Sequence, residues 1–235
     1  MKNDLSIVLC TYNEEKHVQK TILKILSVFP EAEIVIVDDN SSDQTISIIK
    51  KLDLKNIKLI VRKKVRGLAS AFLVGMFNAS RKYIGWIDTN MDYVIDEFKQ
   101  AEKILNNNTY DLVLLSRYVE GGKDDRVFIR VFFSKVLNFI CRNFFNSKIK
   151  DFSSGIFLMN KKILKEVVPL GYGYGEFFIE FIVRISDCKF RIIEIPFTQH
   201  ADLPDNNSKT SPNLYQFLRL SVIYFLRIFT MWFRK

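Results

Sequence analysis

The chain has 235 residues, 48% hydrophobic and 26% charged, the length and balance of one substantial globular domain. Its formal net charge of +9 points to a polyanionic partner: nucleic acid, an anionic membrane surface or a phosphorylated substrate. No stretch offers ~20 uninterrupted apolar residues, which excludes a predicted spanning helix, and three scattered cysteines (Cys10, Cys141, Cys188) without a C-x-x-C argue for buried free thiols in a reducing compartment over disulfides or zinc.

In chain order, Met1 to Leu5 lead straight into a strand and lack the apolar core of a signal peptide. The strand is 5–10 (LSIVLC), ending in the polar turn Thr11-Tyr12-Asn13-Glu14. Val18, Ile22, Ile25 and Leu26 give 15–28 a helical spacing, and 33–38 (EIVIVD) reads as a second strand. Asp39-Asn40-Ser41-Ser42 supplies cap residues for a helix over 43–52. A strand at 57–61, a helix at 68–80 after Gly67, a strand at 83–87, a helix at 95–106 and a strand at 110–115 follow. The pattern then changes to a long amphipathic helix over 127–147. A strand at 155–159, a helix at 175–186 and a strand at 190–196 come next, then a polar loop from Asp202 to Pro212 and a helix from Leu214 to Phe233.

The β-α-β-α alternation implies an α/β fold, a mostly parallel sheet with helices on both faces. No glycine- or serine-rich linker interrupts it, so residues 1–212 read as one domain, with 213–235 as a C-terminal helix on a membrane surface. In such sheets ligands sit at the carboxyl ends of the strands, near the switch in strand order. The polar residues to inspect are therefore Thr11–Glu14, Asp38–Asp43, Asp88–Asp92 and Ser116-Arg117.

Charge is unevenly spread. Arg126, Arg130, Lys135, Arg142, Lys148 and Lys150 occur in 126–150 without an acidic residue, and none follows Asp205. Both stretches interleave the cations with Phe, Leu and Ile, which suits an anionic membrane surface and argues against nucleic acid. Over 127–147, Arg130, Ser134, Asn138 and Arg142 form a polar stripe at every fourth position, and Phe128, Phe132, Phe139, Phe144 and their apolar neighbours fill the other faces. The reading is an interfacial helix with its basic stripe toward phosphates; a core helix with one solvated face has the same pattern. The C-terminal helix has a similar composition and is expected to lie on the bilayer.

Tyr12 suits stacking on a base, Glu14 can accept from hydroxyls or base N–H groups, and Asp39 is placed to accept from a base or ribose. Ser42 and Asp43 are better read as helix caps. No G-x-G-x-x-G and no P-loop is present. The stretch IDTNMD, 87–92, puts Asp88 at the end of an apolar strand with Asp92 four residues on. Either it is a turn, or Asp88 holds a Mg²⁺ or Mn²⁺ against a diphosphate. Arg117, directly after a strand, can clamp a phosphate bidentately or form a surface salt bridge. Glu176 and Glu180 are candidate bases, although Glu180 can simply pair with Arg184 at i,i+4.

In this order and spacing the motifs TYNE (11–14), IVIVDDNSSDQT (34–45), RGLASAFLVGM (66–76), the strand into Asp88, SRY then GG (116–118, 121–122), DFSSG (151–155), E-x-x-x-R then EIPF (180–184, 194–197) and SK (208–209) resemble the family 2 inverting glycosyltransferases of GT-A fold. They are most similar to the polyprenyl-phosphate sugar synthases of the dolichyl-phosphate mannose synthase type. The resemblance runs nearly the whole length. It implies a nucleoside-diphosphate-sugar site with Cys10, Tyr12, Glu14, Val37 and Asp39 around base and ribose. Asp88, Thr89 and Asn90 would flank the diphosphate, Asn90 and Asp92 would be metal ligands, and Lys209 would close over the donor. It implies Arg117 and Arg130 on phosphates of the acceptor or donor, with Ser134 nearby. The expected partners are GDP-mannose or UDP-glucose and a polyprenyl or dolichyl phosphate at the cytoplasmic membrane face.

The chain departs from the family in having Cys10 where Pro is usual and Asp88-Thr89-Asn90 where a D-x-D is usual. Asp92 stands where Gln or another polar residue is common, and His200 lies near a usual Arg. IDTNMD thus reads as a shifted ligand set, its second carboxylate moved from the third position to the fifth. Two alternatives stand beside this reading: a family 2 transferase acting on a sugar hydroxyl with a carboxylate base, and a non-catalytic lipid- or sugar-nucleotide-binding protein.

Overall fold

The structure, a computed structural model, describes residues 4–201 and 214–234. Strands β1 (Leu5–Thr11), β2 (Glu33–Asp38), β3 (Ile57–Val61) and β4 (Tyr83–Trp86) alternate with helices α1 (Val18–Val28), α2 (Thr45–Lys51) and α3 (Leu68–Asn78). Helix α4 (Ile95–Asn106), strand β5 (Leu112–Ser116), the two-residue strand β6 (Lys123–Asp124) and helix α5 (Phe128–Phe144) follow. The chain closes with β7 (Phe157–Asn160), α6 (Glu176–Asp187), β8 (Ile192–Pro196), the short β9 (Thr198–Gln199) and α7 (Leu214–Phe233). Short 3-10 turns precede α4 and follow β7.

Seven strands form one sheet in the order β3-β2-β1-β4-β7-β5-β8, parallel except for β7, which runs antiparallel to both neighbours. The chain winds outward through β1, β2 and β3 and then crosses back to β4 on the other side of β1. The strand order therefore reverses between β1 and β4, where a parallel sheet opens a crevice at its carboxyl edge. β6 pairs with β9 in a separate ribbon.

Period-two alternation sorts the strand residues onto two cores. Leu5, Ile7, Leu9, Ile34 and Ile36 face α1, α2 and α4, whereas Val8, Val35 and Val37 face α3, α5, α6 and α7. Helix α3 lies very close to the sheet because of Gly75: a Cβ there would stand 2.2 Å from a Val8 methyl. The C-terminal helix α7 is seated on α6 and α5, with Trp232 stacked on Phe144 at 5.2 Å between ring centres.

Some expectations change. Helix α2 begins two residues later than predicted, because Asp43 lies outside it and caps it: its carboxylate accepts from the Thr45 amide at 3.0 Å. The cysteines are all free, but they are not all buried. Cys188 is exposed, since α6 ends just before it and Lys189 turns the chain at φ +59°. Among the described residues no helix is long and apolar enough to cross a membrane.

Candidate active site

The crevice between β1 and β4 gathers the acidic residues. The loop after β1 and the loop after β2 are sewn together by their own polar groups. Asn13, at φ +56°, accepts from the Ser42 amide at 2.9 Å, and the Glu14 amide donates to Thr45 Oγ1 at 2.7 Å. Asp38 is fully buried and closes the strand ends by accepting from Thr11 Oγ1 at 2.6 Å and from the Ser41 amide at 2.8 Å. The adjacent Asp39 points the other way. It accepts from Arg62 Nε at 2.6 Å and from the Gly67 amide at 2.8 Å, and Arg62 also reaches Ser70 Oγ at 2.8 Å. Gly67 adopts φ +142°, a conformation side chains rarely take, and this brings its N–H onto Asp39. Tyr12 is exposed at the rim, with the Arg66 guanidinium 4.8 Å from its ring centre and bonded to its hydroxyl at 3.0 Å.

Asp88 follows β4 at the carboxyl edge of the sheet, two residues past Trp86. It is exposed to solvent, yet protein packs closely around it. That burial, with the nearby Glu14 charge, lifts its carboxyl to about 6. The Cys10 thiol is pushed up by burial and by the charges of Asp88 and Asp39, with Arg62 pulling the other way. Cys10, Glu14, Asp39, Arg62 and Asp88 therefore share one electrostatic neighbourhood, as the strand-end rule anticipated for Glu14, Asp39 and Asp88.

The turn after Asp88 divides the IDTNMD stretch. The Thr89 carbonyl is held by Thr21 of α1, Asn90 is exposed, and the Met91 amide returns to the Asp88 carbonyl at 3.0 Å. Asp92 opens the 3-10 turn that precedes α4. Its carboxylate meets Lys20 Nζ at 3.0 Å, and Asp96 meets Lys24 at 2.5 Å one turn along the same pair of helices. This places Asp92 in a row of contacts between α1 and the start of α4. The side chains of this stretch that could offer oxygens to a hard cation are those of Asp88, Asn90 and Asp92. The raised carboxyl of Asp88, beside Glu14, is a local excess of negative charge that a divalent cation would relieve. Among the described residues no group of three or more His, Cys, Asp or Glu forms a ready metal cage.

Across the cleft, the arginines are organised differently. Arg117 follows β5 and is buried. Its main-chain amide and Nε donate to Asp151 Oδ2 at 3.0 and 2.8 Å, and its Nη2 donates to Asp151 Oδ1 at 2.7 Å and to Ser153 Oγ at 2.9 Å. Asp151 is 0% exposed. Burial alone would raise its carboxyl, but the Arg117 charge and hydrogen bonds hold it below the usual carboxylate range, and Arg117 is correspondingly raised. The guanidinium fork expected on a phosphate thus faces Asp151, as a buried ion pair and not the surface one weighed above.

The polar stripe of α5 turns onto this pair. Ser134 Oγ lies 3.2 Å from Ser153 Oγ, and Asn138 donates to Ser153 Oγ at 3.1 Å while accepting from the Phe152 amide at 2.6 Å. Arg130 stands one turn earlier, half-buried. The opposite side of the helix is open: Phe128 is 80% and Phe139 66% exposed, with Ile129 and Phe132 beside them. On α7, Tyr215, Val222, Leu226, Phe229, Trp232 and Phe233 are exposed together with Arg219 and Arg234.

Other predicted residues fall outside the cleft. Val37 is fully buried against α3 and serves the core, because the alternation of β2 turns it under Gly75. Glu180 does not pair with Arg184; it accepts from Arg227 Nε of α7 at 2.8 Å, while Arg184 donates to the Val168 carbonyl at 2.8 Å. Glu176 accepts from the Tyr174 amide at 3.0 Å, and together with Arg227 it borders a groove of about 320 Å³ between α6 and α7. Lys209 lies outside the described residues. Asp124, Asp151 and Arg62 carry much of the geometry but were given no role from sequence. Arg62 had a signal in its position just past the end of a strand, and Asp151 in opening the DFSSG motif.

Several known proteins are similar to this chain. The family described as Glycosyl transferase family 2 matches residues 6–168. A dolichol-phosphate mannosyltransferase of Pyrococcus furiosus is 27% identical over 223 residues, covering 92% of this chain and 62% of that protein. A poly-beta-1,6-N-acetyl-D-glucosamine synthase of Staphylococcus epidermidis is 38% identical over 112 residues, 43% of this chain and 26% of its own length. The chain thus spans less than two thirds of the length of these curated relatives. Among solved structures, glucosyl-3-phosphoglycerate synthase from Mycobacterium tuberculosis in complex with UDP superposes with a TM-score of 0.73 at 14% identity, over 97% of this chain and 79% of that one. The same enzyme with Mn²⁺, UDP and glucosyl-3-phosphoglycerate gives 0.71 at 16% identity, over 96% and 78%. At these identities the likeness shows the fold, a mostly parallel GT-A sheet flanked by helices.

Proposed function

The chain belongs to glycosyl transferase family 2 and is a glycosyltransferase, and on that premise we propose that it moves a hexose, mannose or glucose, from a nucleoside diphosphate to a polyprenyl or dolichyl phosphate at the cytoplasmic face of a membrane. The observation that carries this reading is the two-sidedness of α5. Its polar stripe meets the buried Arg117–Asp151 pair, while Phe128, Ile129, Phe132 and Phe139 stay exposed. An acceptor with an anionic head and a hydrocarbon tail needs both surfaces, joined by one element. The mannosyltransferase relative, which covers most of this chain, supports the same acceptor.

Asp39, Glu14 and Tyr12 would hold base and ribose at the rim. A Mg²⁺ or Mn²⁺, when bound, would be held by Asp88 and Asn90 and would supply positive charge to the departing diphosphate. A phosphate monoester is already an anion near neutral pH, so its oxygen can attack C1 of the sugar without a base. The new C1–O bond forms as the bond to the diphosphate breaks on the opposite side, which inverts the anomeric centre. Arg117 and Arg130 would orient the attacking phosphate, and the rigid Asp151 keeps Arg117 from reorienting during the reaction. The two carboxylates considered as bases are engaged elsewhere, Glu180 with Arg227 and Glu176 with the Tyr174 amide.

The test is a panel of labelled nucleotide sugars offered to the purified protein with polyprenyl phosphate. Label should pass into the lipid phase for one donor and require a divalent cation. The polymer synthase relative favours a second reading, transfer to a sugar hydroxyl. Label appearing on an oligosaccharide and never in lipid would establish that reading instead.

A further inference from the structure

The loop between β3 and α3 is closed on one carboxylate. Arg62 Nε and the Gly67 amide both donate to Asp39, at 2.6 and 2.8 Å, and Arg62 Nη2 donates to the Gly67 carbonyl at 3.0 Å. The Arg62 amide adds a bond to the Asp38 carbonyl at 2.8 Å. Both ends of the loop are thus fixed, and the residues between them, Lys63, Lys64, Val65 and Arg66, are exposed. The loop that carries Tyr12 is tied to the same residue from the other side: the Asp39 amide donates to the Thr11 carbonyl at 2.9 Å.

Arg66 folds back from this loop onto Tyr12. Its guanidinium carbon lies 4.8 Å from the ring centre, and Nη1 donates to the Tyr12 hydroxyl at 3.0 Å. Arg62, Arg117, Arg126, Arg191 and Arg227 each give Nε to a carboxylate. Among the described residues no carboxylate pairs with Arg66, so its fork faces solvent beside an exposed aromatic ring. The neighbouring side chains of the crevice, Glu14, Asp39 and Asp88, are acceptors, and Arg66 adds donors to them. A nucleobase that carries a carbonyl beside a ring N–H needs both kinds of partner, and its face needs an aromatic or guanidinium plane. An exposed ring, an unspent fork on it and the common anchor at Asp39 are the parts of such a slot.

We propose that Arg66 is a further donor-binding residue, which Tyr12 and the Asp39-anchored loop hold in place to donate to a carbonyl on the base of the nucleotide sugar. The site then takes a base with a carbonyl on its edge, such as guanine or uracil, over adenine, which has none. This rests on the nucleotide site of the function proposed above and does not depend on the acceptor.

The test is equilibrium binding to the full chain with Mg²⁺ present and no acceptor, using GDP, UDP, ADP and pyrophosphate as separate probes. Wild type is expected to bind GDP or UDP more tightly than ADP. R66A should weaken the tighter of GDP and UDP about tenfold, while ADP and pyrophosphate stay within about twofold. R66K should recover only part of that loss, since it restores the charge without the planar fork. K64A removes a charge from the same exposed loop and should change the binding of each probe by less than about twofold. R66Q replaces R66A if the alanine variant has a lowered Tm. Unchanged GDP and UDP binding in R66A overturns the proposal and leaves the nucleotide site standing. So does an equal loss for pyrophosphate, or an equal loss in K64A, either of which makes the effect one of loop charge. ADP bound by wild type as tightly as the better of GDP and UDP overturns it too. A wild type that binds no nucleoside diphosphate overturns both the proposal and the donor reading it rests on.

Discussion

The two sides of the cleft solve opposite electrostatic problems. The β1–β4 side collects Glu14, Asp39 and Asp88; Asp39 carries Arg62, and Asp88 is pushed up to about 6. The β5–β7 side buries its charges more deeply and balances them, so Asp151 is held down and Arg117 is held up. A carboxylate left out of balance is a cost to the fold that a bound cation can remove. A carboxylate locked on an arginine contributes orientation. The first side is arranged for what will bind there, the second for holding its own groups still.

That contrast can be broken most directly at Asp151. Asp151→Ala leaves Arg117 buried without its partner and is expected to cost about 3–5 kcal/mol of stability, read by denaturant unfolding. A loss under about 1 kcal/mol would show that Arg117 is not held by this pair. Asp88→Asn should do the reverse. Transfer is expected to fall about a hundredfold or more in a label-transfer assay. Stability near pH 7 should meanwhile rise by about 1 kcal/mol, screened by the solvent access of Asp88, or ~2–4 °C in Tm. A destabilised Asp88→Asn would place Asp88 among the structural ion pairs and erase the contrast.

The pH dependence sharpens the same point. A carboxyl raised in the folded state is protonated more readily there than in the unfolded chain, so its ionisation lowers stability as pH rises from about 4 to about 6. Cation-dependent donor binding should fall as pH drops through about 6, followed by titrating labelled donor at several pH values. The acid limb should be missing from Asp88→Asn. On the arginine side, Asp124 and Asp151 lie low enough to give no such limb.

A smaller effect is expected on the outer face of α5. Replacing Phe132 and Phe139 with Gln should weaken binding to anionic vesicles about tenfold, since ~1.5 kcal/mol or more of apolar burial is lost, while donor binding stays unchanged. Equal vesicle binding in a flotation assay would remove α5 from the membrane contact. The smallest effect belongs to Asp92→Asn. As one half of an ion pair whose lysine is 73% exposed, it should change stability by less than about 1 kcal/mol and metal dependence less than Asn90→Ala does. A larger loss of metal dependence in Asp92→Asn would mark it as a metal ligand.

Most of this architecture was legible in the chain, because it depends on local patterns. The alternation of Leu5, Ile7 and Leu9 with Val8, the helical spacing of Val18, Ile22 and Ile25, and the polar breaks after each strand imply a parallel α/β sheet with its site at the strand ends. The same patterns pointed to Tyr12, Glu14, Asp39, Asp88 and Arg117 as the residues to inspect. What they left open was what each charge would meet. Arg117 and Asp151 are 34 positions apart and Arg62 and Asp39 are 23 apart. Glu180 meets Arg227 across two helices, although Arg184 is the closer candidate in sequence.

The amino-acid sequence by itself determined the order of elements, the two faces of the sheet and the amphipathic character of α5, since periodicity acts within a few residues. Only the tertiary structure decided that β7 would insert antiparallel between β4 and β5, that Asp92 would turn to Lys20, and that Asp124 would meet both Arg126 and Arg117. Those outcomes depend on which distant charges the packed chain makes neighbours. Charge pairing is decided by distance and burial, and spacing along the chain carries neither.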